Sequence, residues 1–280
     1  MKSLTTQLAL GSALAAFLSV PMNAEPGLDA IPMKTKVQRF CHTAEVKPDA
    51  CDQYKELAAK PPQEAVKAIK AAHLENITLS FKKIEVPADS AGNKLPDHLA
   101  VFNYQEYSGS HYKEDMAKLE ADTAYAAWKK ACEACLIPVP GSSGQTWSEL
   151  ETLFFTDGAA DVVPTPEKFV RTCMITGLKP EKEMEYRLLH ANIWPAVNQS
   201  IKDGNVRDFS VYLAEIGGNL YLFGYLEYVG KDGAADDAKG HALPVNKRWW
   251  KHTDACQEPL PDAAAQKKIW IGADVIFHLD

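Results

Sequence analysis

The sequence has few of the features that mark specialised protein classes. Its 280 residues include 6 Cys, and 30 Lys and Arg against 37 Asp and Glu give a formal net charge of -7. Proteins that bind nucleic acid or an anionic bilayer need clustered basic residues, so this balance argues against both as main partners. With 46% hydrophobic and 24% charged residues, the composition is typical of a globular protein of roughly two domains. A neutral small molecule or another protein is the expected partner.

Long hydrophobic runs are also scarce. The main apolar run, residues 8–20, follows Lys2 and precedes Pro21 and Ala24. The run is shorter than the roughly 20 residues that a membrane-spanning helix needs. A basic residue, an apolar run and then a small residue are the pattern of a secretory signal peptide, which is predicted over residues 1–24. The mature protein is therefore expected to be exported, periplasmic or secreted, and free of the membrane. An uncleaved anchor is the alternative, because Met22 fits the cleavage site less well than alanine.

Motifs for metal, phosphate and cofactor chemistry are missing. The sequence contains no phosphate loop, H-E-x-x-H, nucleophile elbow or dinucleotide fingerprint. Cys132 and Cys135 form a C-x-x-C on a predicted helix, but a redox site would place it at a helix start and a zinc site would need a second ligand pair. Small buried residues or one local crosslink are the expected roles of these cysteines. The sequence predicts neither a metal nor a cofactor.

What the chain does contain is an internal repeat. At a constant offset of 132, Arg39, Cys41, Lys47, Pro48 and Tyr54 recur as Arg171, Cys173, Lys179, Pro180 and Tyr186. At an offset of 121, Phe102, Tyr104, Glu106 and Tyr107 recur as Phe223, Tyr225, Glu227 and Tyr228, and at 122, Trp128 and Phe155 recur as Trp250 and Phe277. The change of offset coincides with an extra loop in the first copy, residues 87–96. The copies are predicted to span residues 36–157 and 168–280, with a linker over 157–166.

Each copy has the pattern of a βαββαβ unit. In the second copy, strands are predicted over residues 169–178, 209–216, 220–229 and 274–279, with a hairpin turn at 217–219. Helical spacing over 181–201 is divided by Pro195, which cannot lie deep inside a helix, and a polar, glycine-containing region leads to a further helix around residues 248–251. This α+β order is ferredoxin-like, with both helices on one face of an open sheet. We expect the two open sheets to pack together as an intramolecular dimeric α+β barrel.

The residues suited to chemistry lie in the second copy. Tyr186 and His190 stand four residues apart on one predicted helix face, and histidine is the side chain that transfers protons near neutral pH. Trp249 and Trp250 point about 100° apart on a helix, so both cannot face one core. At least one is expected to face a cleft, where an indole can stack on the C–H face of a sugar. The alternative is that the histidine and the tryptophans are only structural.

Three segments of the second copy resemble the L-rhamnose mutarotase family. They are Tyr-Arg-Leu-Leu-His-Ala-Asn-Ile-Trp-Pro at 186–195, Asn-Lys-Arg-Trp-Trp-Lys at 246–251 and Val-Ile-Phe-His-Leu at 275–279. The resemblance covers essentially all of this copy and implies a ferredoxin-like dimer fold, His190 as proton donor, and Tyr186, Trp249 and Trp250 around the sugar, with no cofactor. Phe209 stands where the family usually has a second substrate tyrosine, which leaves the identity of the sugar open.

The first copy departs from the family pattern. Tyr54 and Trp128 are retained, but Ala58 replaces the histidine and Ala127 the first tryptophan. This copy is therefore expected to be degenerate, to have no proton donor, and to act as the packing partner in a pseudo-dimer with one active centre.

The function expected from these residues is interconversion of the α and β anomers of L-rhamnose or a related deoxyhexose. One proton must reach the ring oxygen and one must leave the anomeric hydroxyl; His190 is the natural acid or base, and water or Tyr186 is a candidate for the second group. Two alternatives remain: a non-catalytic exported sugar-binding protein, and a different small-molecule activity on the same scaffold.

Overall fold

The computed structural model describes residues 37–86, 91–159 and 169–280. The predicted signal peptide and most of the predicted linker lie outside these ranges, as do residues 87–90 of the extra loop. None of the helices in the described ranges combines the length and the apolar character needed to cross a bilayer.

The first half of the chain contains six strands and four α-helices within its described residues. They are β1 Gln38–Val46, α1 Cys51–Ala59, α2 Gln63–Ala71, β2 Leu74–Ile84, β3 His98–Tyr107, α3 Tyr112–Ala121, α4 Thr123–Glu133, β4 Leu136–Ile137, β5 Ser148–Glu149 and β6 Glu151–Gly158. The C-x-x-C lies at the end of α4. Cys132 and Cys135 are both buried free thiols, packed in the cluster around Tyr54.

The second half has the same order of elements except that helix α9 stands where the first half has strand β5. Its elements are β7 Val170–Leu178, α5 Glu183–Ala191, α6 Pro195–Asp203, β8 Val206–Ile216, β9 Asn219–Tyr228, α7 Gly233–Ala242, α8 Pro244–Cys256, β10 Gln257–Glu258, α9 Pro261–Ala265 and β11 Ile271–Leu279. The predicted helix break is confirmed, since Pro195 begins α6. The β8–β9 turn has positive φ at Gly217 and Gly218, as a two-residue primed turn requires.

The polar, glycine-containing region before the tryptophans, which the sequence pattern left without an assigned element, is itself helical and forms α7. The Asp232 side chain accepts a 3.0 Å hydrogen bond from the backbone N–H of Ala235, which satisfies one of the free donors of the first turn. A good N-cap thus outweighs the low helix propensity of Gly233 and Gly240.

The long strands form one curled antiparallel sheet in which each half lends its last strand to the other. The order is β4-β1-β3-β2-β11-β7-β9-β8-β6. Strand β11 pairs with β2 of the first half along residues 274–279 and with β7 only at its start, while β6 pairs with β8 of the second half. The sequence pattern did not predict this exchange, because a strand's own residues do not encode its partner.

Aromatic rings join the inner faces of the two halves. Phe102 stacks on Phe223 with ring centroids 4.4 Å apart, and Tyr104 stacks on Tyr225 at 3.8 Å. All four rings are fully buried in one core cluster that draws on both halves. In each pair the two residues stand at matching positions of the sequence repeat, 121 residues apart. Contact between matching positions is typical of an isologous interface, in which the same surface of each copy meets its counterpart.

Buried charges surround this aromatic stack. Arg39 bonds Asp157 at 2.6 Å and Asp208 at 2.8 Å, and Arg207 contacts Glu227 at 3.1 Å. Each arginine thus neutralises carboxylates that would be costly to bury alone.

Glu106 lies in the same network. It accepts hydrogen bonds from the Tyr104 hydroxyl at 2.7 Å and the Asn76 amide at 3.1 Å. Burial, followed by the charge of Asp208, raises the pKa of Glu106 from 4.5 to about 7. Its carboxyl therefore binds a proton more tightly in the folded than in the unfolded chain.

Because of this raised pKa, Glu106 should make stability fall as the pH rises from 4.5 to 7, since the folded state then holds a proton that the unfolded state has lost. Glu106→Gln resembles the protonated acid at every pH. The free energy of unfolding of this variant, relative to that of the wild type, should therefore be about 1–3 kcal/mol higher at pH 8 than at pH 5. Urea unfolding at both pH values measures this difference, with the exposed Glu56→Gln as control. If variant and wild type differ by the same free energy of unfolding at both pH values, the raised pKa of Glu106 is contradicted.

Candidate active site

A cavity of about 460 Å³ lies between the sheet of the second half and helices α5, α6, α7 and α8. Among its lining residues are all five of the predicted site residues: Tyr186, His190, Phe209, Trp249 and Trp250. Helix α5 supplies the first two, β8 the third and α8 the tryptophans. The four-residue spacing of Tyr186 and His190 puts both on the buried face of α5.

His190 is held in a cage of aromatic rings. Its imidazole stacks on Tyr186 with ring centroids 4.1 Å apart, and it meets Trp249 edge-on at 5.4 Å and Phe154 at 6.1 Å. Only 9% of the residue is exposed. The ring orientation is therefore fixed by packing before any ligand binds.

One hydrogen bond sets the tautomer of His190. Nδ1 lies 3.0 Å from the backbone carbonyl oxygen of Tyr186, and because that oxygen can only accept, Nδ1 carries the proton. Burial lowers the pKa of His190 from 6.5 to about 4, so the imidazole is neutral at pH 7. Nε2 has no hydrogen-bond partner among the described residues and is left as a proton acceptor.

Tyr186 and Gln257 form a polar pair in the same wall. The Tyr186 hydroxyl accepts a long hydrogen bond of 3.4 Å from the Gln257 side-chain amide, and burial raises the pKa of Tyr186 far above its usual range. The phenol therefore stays protonated and can donate. Gln257 Oε1 is buried with no partner in the described part of the chain, so it can accept from a ligand hydroxyl.

The two predicted tryptophans differ in their surroundings. Trp249 is 5% exposed and packs edge-on against His190 and against Trp194, the latter at 5.5 Å. Trp250 is half-buried, with its ring 4.5 Å from that of His241. Trp249 therefore holds His190 in place, while Trp250 offers the more open indole surface.

Several lining residues escaped sequence reasoning. Phe154 belongs to β6 of the first half, yet it lines the cavity and contacts Phe209 at 5.8 Å between ring centroids. Nothing near Phe154 in the sequence marks it as a site residue, because only the strand exchange brings it there. Gln257 and Trp270 also line the cavity, and no motif distinguishes either of them.

The charge of the cavity is weakly acidic. Asp236 and Asp237 are the charged lining residues, and no Lys or Arg of the described ranges lines it. Asp236 accepts hydrogen bonds from Lys239, Asn205 and Tyr228, which lower its pKa to about 2. The cavity thus suits a neutral ligand better than a phosphorylated one. No group of three or more metal-binding side chains occurs in residues 37–86, 91–159 and 169–280.

Comparison with known proteins identifies the second half. The family model "L-rhamnose mutarotase" matches residues 171–279. The L-rhamnose mutarotase of Phocaeicola vulgatus is 31% identical over 103 residues, covering 37% of this chain and 91% of the relative. That of Rhizobium meliloti is 33% identical over 102 residues, covering 36% and 90%.

Among solved structures, a monooxygenase-like protein of Fusobacterium nucleatum aligns over 89% of this chain and 96% of its own, at 13% identity and a TM-score of 0.46. That likeness is too distant to carry a functional argument. The two relatives are matched over nine-tenths of their length at over 30% identity, and the family model covers the residues that form most of the aromatic cavity. The chain therefore belongs to the L-rhamnose mutarotase family of anomer-interconverting carbohydrate isomerases.

Proposed function

We propose that this protein interconverts the α and β anomers of free L-rhamnose or a closely related deoxyhexose in the cavity of its second half. The observation that carries the proposal is His190, a neutral imidazole whose Nδ1 proton is held by the Tyr186 carbonyl oxygen at 3.0 Å. This arrangement leaves Nε2 as a base within an otherwise aromatic cage.

The reaction needs two coupled proton transfers. Nε2 of His190 takes the proton of the anomeric hydroxyl, the bond between C1 and the ring oxygen breaks, and the ring oxygen takes a proton from water, because the raised pKa of Tyr186 makes its hydroxyl a poor proton donor. Rotation about C1–C2 turns the aldehyde, and the reverse transfers close the ring on the other face. The family resemblance implied a proton donor at His190, whereas its tautomer and lowered pKa favour an acceptor in the ring-opening step.

The lining of the cavity favours a deoxysugar. Ile193, Val197, Val211 and Leu226 provide apolar surface for a sugar methyl group, and the half-buried Trp250 offers an indole for the C–H face of the ring. The lack of a basic lining residue in the described ranges disfavours a sugar phosphate, whose charge would meet Asp236 and Asp237.

Anomer exchange tests the proposal. Magnetisation-transfer NMR on L-rhamnose, L-fucose, D-mannose and D-glucose measures exchange above the buffer rate, and we expect L-rhamnose or another 6-deoxyhexose to be accelerated most. Saturable binding without acceleration would instead support the non-catalytic sugar-binding protein. Acceleration of none of these sugars, with no binding, would contradict both.

Phe209 is expected to tune the choice of sugar. It lines the cavity beside Phe154 and is half-buried, so Phe209→Tyr adds a hydroxyl at the cavity surface without removing core volume. We predict a change of about 3- to 10-fold in relative exchange rates among the four sugars, the size of one hydrogen bond. The thermal midpoint should shift by less than about 2 °C. Unchanged relative rates would show that Phe209 does not contact the substrate.

The chain organisation is part of the proposal. We infer that residues 36–157 and 168–280 are tandem ferredoxin-like units that form an intramolecular dimeric barrel, with the first as a degenerate copy. The stacking of Phe102 on Phe223 and of Tyr104 on Tyr225 supports this. One active centre per chain is expected. Sugar titration of the full chain, with anomer exchange followed in the same samples, separates the two copies.

We also propose that the protein is exported after cleavage near Ala24. The support is the charge, apolar run and small residues of positions 1–24. Mass spectrometry of the protein from cell fractions should find the shortened chain outside the cytoplasm. Full-length protein in the cytoplasmic fraction would contradict export.

A further inference from the structure

The first half contains a second cavity, of about 490 Å³, that the proposed reaction does not use. It lies between the sheet and helices α1, α3 and α4, and it is lined by Tyr54 and Trp128, which correspond to Tyr186 and Trp250. Phe277 of β11 also lines it, so the strand exchange brings an aromatic residue from the other half here too. A half that served only as a packing partner would have no reason to keep this space open.

The sheet surface of this cavity is polar where that of the second half is apolar. His42 on β1 is directly opposite Asn103 on β3 in the strand register, and Gln105 is the next residue on that face. The matching pair in the second half is Met174 opposite Gly224, and Leu226 follows. The first half thus has three neutral side chains that can form hydrogen bonds at positions where the second half has no polar side chain.

These polar side chains are incompletely satisfied. His42 Nδ1 and Asn103 Oδ1 are buried atoms with no hydrogen-bond partner in the described part of the chain. The Asn103 amide donates to Gln105 Oε1 at 3.3 Å, which leaves the Gln105 amide nitrogen as a donor. Buried polar atoms without partners are uncommon and costly in folded proteins, and the hydroxyl groups of a ligand would satisfy all three.

The charges around the cavity limit the ligand to a neutral one. Lys129 is bonded to Glu120 at 2.6 Å and lies 3.9 Å from Glu133, so its charge is already neutralised. Glu149 lies on the same cavity lining. Burial, against the opposing charge of Glu149, lowers the pKa of His42, so the imidazole is uncharged at neutral pH. An anionic ligand would meet uncompensated carboxylates.

The walls add aromatic surface. Trp147 and Tyr125 line the cavity, and Trp128 uses its indole N–H in a 2.8 Å bond to the Leu57 carbonyl oxygen, so it offers a ligand only its apolar surface. Aromatic faces beside a neutral polar surface are the combination that recognises a sugar ring, whose C–H groups stack while its hydroxyls bond.

We propose that the first half is a second carbohydrate-binding site, which takes a neutral monosaccharide on His42, Asn103 and Gln105 and does not interconvert its anomers. Ala58 stands where the second half has His190, so the helix side of this cavity has no counterpart of the proposed base. His42 lies on the sheet side and is assigned here only as a hydrogen-bond acceptor for a sugar hydroxyl. The two halves therefore divide their roles: one converts a sugar and the other binds one. This inference goes beyond the proposed reaction and does not depend on it.

The test uses the full chain labelled with ¹⁵N, titrated with L-rhamnose, L-fucose, D-mannose and D-glucose, and with D-glucose 6-phosphate as an anionic comparison. We expect at least one neutral sugar to shift the side-chain amide signals of Asn103 and Gln105 saturably. The phosphate should not. No saturable shift of either amide with any neutral sugar would overturn the proposal, and this measurement needs no variant.

The double variant His42→Met/Gln105→Leu installs the residues found at the matching positions of the second half. It should raise the Kd of that sugar at the first-half site at least tenfold, whereas the exposed Gln53→Leu, on α1 outside the cavity, should leave the Kd within twofold. Equal Kd values for the double variant and the control would overturn the proposal. Anomer exchange, measured in the same samples, reports on the second half alone. Loss of sugar binding in the first half can therefore be distinguished from loss of activity in the second.

Discussion

Replacing His190 by asparagine is expected to lower anomer exchange by about 10²- to 10⁴-fold, the usual contribution of a general acid or base. Asparagine keeps a polar side chain that can still donate to the Tyr186 carbonyl oxygen, but its amide cannot accept a proton from the anomeric hydroxyl. Magnetisation-transfer NMR on L-rhamnose measures the rate, and sugar titration measures whether binding persists.

Asparagine is more informative here than alanine. His190 is 9% exposed and contacts three aromatic rings, so His190→Ala would leave a cavity and cost about 1–3 kcal/mol of stability as well. The matched control is His111→Asn, an exposed position of the first half, which should exchange anomers at the wild-type rate. A loss of under threefold in His190→Asn would rule out His190 as the proton-transfer group.

Replacing Phe102 by alanine is expected to lower the free energy of unfolding by about 3–5 kcal/mol. Phe102 is fully buried and stacks on Phe223 at 4.4 Å, so its loss opens a void in the core shared by both halves. Because both halves share that core, a single cooperative unfolding transition should shift as a whole. Chemical denaturation followed by tryptophan fluorescence measures the change.

Phe155 provides the control for this prediction. It is 51% exposed on β6, so Phe155→Ala should change stability by less than about 1 kcal/mol. Phe223→Ala should lower the free energy of unfolding by the same amount as Phe102→Ala. The double variant should lose less than the sum of the two single losses, since both substitutions remove the same stacking contact. Strict additivity, or a loss below 1 kcal/mol in Phe102→Ala, would show that the stack does not hold the halves together.

Local pattern predicted much of this structure. The alternation of apolar residues located β8 and β9, the glycine pair located the turn between them, and Pro195 marked the start of α6. The four-residue spacing of Tyr186 and His190 was enough to predict that they share a helix face. These features depend on neighbours in sequence, which is why they could be read from it.

The rest depends on contacts between distant residues. The exchange of β6 and β11 is decided by hydrogen bonding between strands, and Phe154 joins the site only through that exchange. The lowered pKa of His190 results from its burial among aromatic rings. The polar sheet surface of the first-half cavity, at His42 and Asn103, results from the strand register. None of these leaves a mark in the local sequence.

The dependence of anomer exchange on pH shows whether a neutral His190 in the second-half cavity takes up the proton of the anomeric hydroxyl. The buffer-corrected rate for L-rhamnose is measured by NMR from pH 3.5 to 8, with circular dichroism at each pH to confirm folding. We expect the acceleration to be constant from about pH 5 to 8 and to decrease at lower pH with a single pKa of about 4, as His190 becomes protonated. Acceleration that rises as the pH falls through this range, or none at any pH, would contradict it.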